Sequence, residues 1–159
     1  MSLNTNNNNK HVDNSSSFNI VYFLLFLVLV LILVLIDQII KLEFCSLNYI
    51  FSNCILNTGS AYGLFSNMKY YTSIIAIFGV LISTILIVFY SYFIREFGLV
   101  ITSLFTAGII SNTIDRIFFG AVRDMFIIPY FPIFGIFNVA DVYLFISALY
   151  ILYKLIILK

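Results

Sequence analysis

Charge is the scarcest property of this chain. Only 9% of its 159 residues are Asp, Glu, Lys or Arg, against about 25% in an average soluble domain. Tryptophan is absent, and there are two prolines, two cysteines and one histidine. The single His11 lies in a polar tail, which argues against a Ser-His triad or a His-ligated metal. Two cysteines without matching histidines make no zinc site, so neither metal nor cofactor is expected. A net charge of +1 offers no basic face for nucleic acid. What fills the chain is hydrocarbon: 62% of residues are hydrophobic and the mean hydropathy is +1.09. An integral membrane protein of one domain is expected.

Residues 1–17 are Asn- and Ser-rich and read as a disordered polar tail. The run from 18 to 36 is apolar throughout and long enough to cross about 30 Å of hydrocarbon as a helix. It is expected to be a retained first span ending near Asp37. Further spans are expected at 71–94, 97–119 and 137–158, with Arg95-Glu96 as the polar turn between the second and third. Segments 47–51 and 55–56 read as short strands, Asn57-Thr58-Gly59-Ser60 as a turn, and 120–136 as a surface loop. The fold class is therefore an all-α membrane protein of four transmembrane helices, with a small β-rich element on one face. Cys45 and Cys54 share one connecting segment and could pair in an oxidising compartment; two unpaired thiols are expected.

The few polar groups converge. Four spans bring Asp37, Lys41, Asn57, Asn112, Asp115, Arg116, Asp124, Asn138 and Asp141 to one side of the membrane. An ionised carboxylate at a bilayer centre costs about 2.5 kcal/mol or more, so a chain that keeps several near the membrane uses them. Asn112, Asp115 and Arg116 stand at i, i+3 and i+4 on one helix face, and Asn138 and Asp141 at i, i+3. Each has a plainer role open to it. Asp115-Arg116 could be a structural ion pair, Asp37 and Lys41 an interfacial i, i+4 pair, Asn138 a helix N-cap, and Asp141 a first-turn acid favoured by the helix dipole. Asp124 and Asp141 resist such explanations best. Two carboxylates held together share one proton, so one can take a proton from water while the other donates to a carbonyl or leaving amine. That chemistry is peptide-bond hydrolysis. A proton-coupled transporter would spread its acids through the bilayer depth, and a silent scaffold would leave them without a shared location.

At this level of detail the chain resembles the lipoprotein signal peptidases, or type II signal peptidases. The resemblance rests on four segments in order: Asp37-Gln38-Ile39-Ile40-Lys41, Asn57-Thr58-Gly59-Ser60-Ala61-Tyr62, Gly108 through Asp124, and Phe137-Asn138-Val139-Ala140-Asp141. It implies that Asp124 and Asp141 are the catalytic pair. It further implies that Asp37, Lys41, Asn57, Gly59, Asn112, Asp115, Arg116, Asn138 and Ala140 line or support the site. The implied substrate is a lipid-modified prolipoprotein, cut on the N-terminal side of its diacylglyceryl-bearing Cys. The implied setting is the bacterial inner membrane, with both termini cytoplasmic, the β-element outside and membrane lipid as neighbour. A monomer is expected. Two positions depart from the family pattern: Tyr62 stands where Phe is common, and Arg123 fills a place that is usually apolar, where it could lower the pKa of a nearby acid or point to water; water is expected.

Overall fold

The computed structural model describes residues 8–45, 54–59, 70–127 and 135–157. Five helices account for most of them: α1 (Asn8–Cys45), α2 (Tyr71–Val88), α3 (Tyr90–Phe97), α4 (Leu99–Phe119) and α5 (Val139–Ile157). Four short strands join them: β1 (Ile55–Asn57), β2 (Val122–Asp124), β3 (Phe126–Ile127) and β4 (Ile136–Phe137). The expected strand at 47–51 and the Ala61–Phe65 segment lie outside the described residues.

Among the described residues, three helical stretches are long and apolar enough to cross a membrane: 20–45, 71–88 and 139–157. Their outward faces are carpeted with exposed Leu, Ile, Val and Phe, as lipid-facing helices require. Helix α4 is different. It packs against α1, α2, α3 and α5 and buries Thr102, Ser103, Thr106, Ser111, Asn112, Thr113 and Asp115. A helix walled in by protein can carry polar groups that a lipid-facing helix cannot. The apolar core, Phe26, Val30, Val34 and Ala107, sits where α1 meets α4.

Several boundaries differ from expectation, each for a physical reason. Helix α1 does not stop near Asp37 but runs to Cys45, because Asp37 is neutralised by Lys41 one turn later. It also begins at Asn8, so the tail from that residue on continues the helix; propagation from a stable apolar segment costs only tenths of a kcal/mol per polar residue, roughly. The expected span at 71–94 breaks at Phe89, and the break lays Tyr90 against Phe23 and Phe26, at centroid separations of 4.8 and 6.1 Å. Arg95 and Glu96 belong to α3, and the turn falls on Gly98. Of the expected surface loop at 120–136, residues 121–125 are buried and carry β2 into the interior, while 128–134 lie outside the described residues.

Two features of α4 aim the chain at the site. Gly108 lets α5 come close: a Cβ there would stand 2.7 Å from the Leu144 Cγ and 2.8 Å from the Ala140 carbonyl oxygen. One turn further on, Asn112 is thereby within reach of Asp141. Gly120 then caps the helix in the left-handed region, φ 67°, a conformation that costs a residue with a side chain roughly 1 kcal/mol or more. That turn feeds β2.

Candidate active site

Two antiparallel ladders assemble the site. In the first, β1 pairs with β2, Ile55 opposite Asp124 and Asn57 opposite Val122. Asn57 and Asp124 are diagonal neighbours on one face, and the Asn57 amide donates to Asp124 Oδ2 at 3.1 Å. The Gly59 N–H holds the other end of that amide, donating to Asn57 Oδ1 at 3.0 Å. In the second ladder Phe126 lies opposite Phe137, which brings Asn138 beside Asp124.

Asn138 is the junction. Its side-chain oxygen accepts the Asp141 N–H at 2.9 Å, and the Asp141 carboxylate accepts the Asn138 N–H at 3.1 Å. This reciprocal pair is a capping box at the start of α5, satisfying two N–H groups the helix would otherwise leave open. The remaining Asn138 amide donates to Asp124 Oδ1 at 2.7 Å. One fully buried residue thus caps a helix and ties two carboxylates together, so the N-cap role and the site role are both filled.

Behind Asp141 stands a second layer. The Asn112 amide donates to Asp141 Oδ1 at 2.8 Å and is oriented by Lys41, which donates to its oxygen at 3.0 Å. The Lys41 Nζ also contacts Asp37 at 2.7 Å and Asp115 at 3.1 Å. An ammonium has three protons, and here each has an acceptor. Asp37 in turn accepts the Ala140 N–H at 2.8 Å and the Ser111 hydroxyl. Ala140, fully buried, thereby joins α5 to α1 through its backbone.

The expected Asp115-Arg116 ion pair is replaced by others. Asp115 pairs with Lys41 and with Arg123, the latter at 2.8 Å, because adjacent helix positions point apart. Arg116 donates to the Asn112 carbonyl at 3.2 Å, and the acidic charges acting most on it are those of Asp141 and Asp124. Arg123, expected in water, is 5% exposed and lies 4.3 Å from the Phe119 ring centroid. Three residues of the network are not among the expected site residues: Gln38, Ser111 and Arg123. Gln38 donates to Ser111 Oγ and Asp115 Oδ1, at 2.9 and 3.1 Å, and Arg123 Nη2 donates to Gln38 Oε1 at 2.7 Å. The signals that point to them are the i, i+4 spacing of Ser111 and Asp115 and the departure of Arg123 from the family pattern.

The electrostatics separate Asp124 from an ordinary carboxylate. Burial, and then the charge of Asp141, push its pKa up to about 6, against the opposing bonds from Asn138 and Asn57 and the charge of Lys41. Among the described residues, no group of three or more His, Cys, Asp or Glu is placed to hold a metal ion.

Cys45 and Cys54 are not the unpaired thiols expected. They form a disulfide across nine positions, joining the end of α1 to the residue before β1, the strand that carries Asn57. A loop this short closed by a disulfide contributes about 2–3 kcal/mol. Cys45→Ser/Cys54→Ser is therefore expected to lower the thermal midpoint and, by loosening Asn57, to reduce turnover severalfold, read by scanning calorimetry and an activity assay side by side.

A family model described as signal peptidase (SPase) II matches residues 29–157. A lipoprotein signal peptidase of Chlamydia pneumoniae is 36% identical over 101 residues, 63% of this chain; the match spans 60% of that relative's length. Two solved structures of bacterial membrane enzymes, both determined by the in meso method, share the fold. One superposes with a TM-score of 0.69 at 26% identity, covering 82% of this chain and 86% of that one. The other gives 0.68 at 25% identity, covering 83% and 92%.

Proposed function

The chain belongs to the signal peptidase II family, and from that premise we propose an intramembrane aspartic endopeptidase that removes signal peptides from diacylglyceryl-modified prolipoproteins. Asp124 and Asp141 are the catalytic pair. Asp37, Lys41, Asn57, Gly59, Asn112, Asp115, Arg116, Asn138 and Ala140 hold them or the substrate. The observation that carries the proposal is Asn138, whose contacts to Asp124 and to Asp141 hold both acids at one residue.

In this mechanism Asp141 is the base. It accepts two N–H donors and sits in the first turn of α5, where the helix dipole favours negative charge. It takes a proton from water, and the resulting hydroxide attacks the carbonyl before the lipidated Cys. Asp124, with its elevated pKa, carries a proton and gives it to the carbonyl oxygen, forming a gem-diol. As the C–N bond breaks, a gem-diol hydroxyl returns a proton to Asp124 and the proton that Asp141 took from water passes to the leaving amine, so both acids end as they began. The buried Arg116 Nε, which has no hydrogen-bond partner among the described residues, is free to receive a substrate carbonyl. The acid form of Asp124 is lost as pH rises through about 6. Activity at subsaturating substrate is therefore expected to fall on the alkaline side of a limb near that value, a constant belonging to the pair.

We further propose that α4 is the fourth span. Its 21 residues measure about 31 Å as a helix, and its polarity is accounted for by its central position. The Cys45–Cys54 disulfide supports an oxidising, extracytoplasmic location for the β-element, with both termini in the cytoplasm of a cell bounded by this inner membrane. The exposed apolar helix faces suit membrane lipid, and the enzyme acts as a monomer.

The decisive assay presents the purified protein in detergent with a diacylglyceryl-modified precursor and with its unlipidated form. Cleavage confined to the lipidated precursor is expected. Proton flux in liposomes without cleavage would replace the peptidase by a transporter.

A further inference from the structure

We infer that Arg123 is a positioning residue of this site, linking the strand that carries Asp124 to the support of Asp141; the inference rests on the peptidase function proposed above. Arg123 addresses both oxygens of Asp115. Its N–H donates to Asp115 Oδ2 at 3.0 Å and its Nη2 to Oδ1 at 2.8 Å. The same Nη2 donates to Gln38, which donates back to Asp115. From Asp115 the contacts continue to Lys41 at 3.1 Å, to Asn112 at 3.0 Å, and to Asp141 at 2.8 Å. The residue beside one acid thus reaches the other by a route independent of Asn138.

Charge explains why the route matters. Asp37, Lys41, Asp115 and Arg123 are two acids and two bases, all buried, and the set is neutral only with Arg123 in place. An apolar residue there leaves Asp115 with Lys41 as its one ion-pair contact among the described residues. Lys41 is then drawn from Asn112, whose amide loses its orientation and with it the donor to Asp141. A carboxylate that loses a donor shifts its ionisation. The charged groups facing Asp141 are Asp37 and Lys41 from α1, Arg116 from α4, and Asp124 from β2.

The test compares wild type, R123L and R123K in kcat, KM and pH profile on a diacylglyceryl-modified precursor. For R123L the expected result is a fall in kcat of about ten- to a hundredfold, with KM within about twofold and a pH optimum displaced by about half a unit or more. R123K, which returns the charge but not the fork, recovers part of the kcat and most of the profile. A wild-type pH profile in folded R123L, or a loss that lysine does not relieve, overturns the inference. If R123L does not accumulate, Arg123→Gln takes its place with the same readouts. Absence of cleavage by the wild-type protein would instead count against the peptidase function itself.

Discussion

Asp124→Asn and Asp141→Asn are each expected to lower cleavage of a lipidated precursor by about a thousandfold, and they should do so with different structural consequences. At position 124 the side chain is buried and its pKa is raised to about 6. A group whose folded pKa lies above its unfolded value contributes stability that is complete below the unfolded value and is lost as pH rises through the folded one. At pH 8 the ionised Asp124 therefore costs about 3 kcal/mol, a cost that the neutral amide of D124N escapes. Both Asp124 oxygens accept amide donors too, so D124N gives up one hydrogen bond worth about 1 kcal/mol. It should be inactive and, with the larger ionisation cost removed, still at least as heat-resistant as wild type at pH 8, with that advantage gone by pH 4. At position 141 both carboxylate oxygens accept N–H donors, and an amide has only one oxygen. D141N should be inactive and weaker by about 1 kcal/mol, the worth of a helix cap. Single-turnover cleavage and thermal midpoints at both pH values measure all of this; near-normal turnover in either purified variant would refute the assignment.

Lys41→Met is expected to destabilise the protein by about 3–5 kcal/mol, the usual result of removing one partner from a buried ion pair. Lys41 and Asp37 are both fully buried, and the methionine leaves Asp37 with the Ser111 hydroxyl and the Ala140 N–H but no cation. Asp115 keeps Arg123, so the penalty concentrates on Asp37. Asp37→Asn/Lys41→Met should then be more stable than Lys41→Met alone, and a double-mutant cycle of unfolding free energies in detergent measures the coupling. Stability of Lys41→Met within about 0.5 kcal/mol of wild type would mean that the pair is not what holds α1 to the site.

Sequence pattern reached some of this structure and missed the rest for identifiable reasons. Apolar runs located the outer helices because those helices face lipid and need little else. The spacing of Asp37 and Lys41 predicted their contact because both lie on one helix. Contacts across the fold were invisible: nothing local to Cys45 or Cys54 reveals that a β-strand returns to the end of α1. Arg123 departs from the expectation of solvent because an arginine beside a loop is ordinarily solvated, whereas its partners, Asp115 and Gln38, stand 8 and 85 positions away. The end of α1 was drawn too early because a charge in an apolar run usually marks water, whereas Asp37 is met by Lys41, Ser111 and Ala140. Asn138 was legible as a cap or as a site residue but not as both.

The polar lining of α4 also bears on how the protein is made. As the span proposed above, a segment carrying buried Thr102, Ser103, Asn112 and Asp115 gains little by leaving the protein-conducting channel for bare lipid. Its escape has to be assisted by helices already synthesised, and α1 and α2, both earlier in the chain and both packed against it, are waiting when it emerges. With α4 as the span proposed above, biogenesis is sequential, and the most polar of the four proposed spans enters last but one into a berth that its predecessors have prepared.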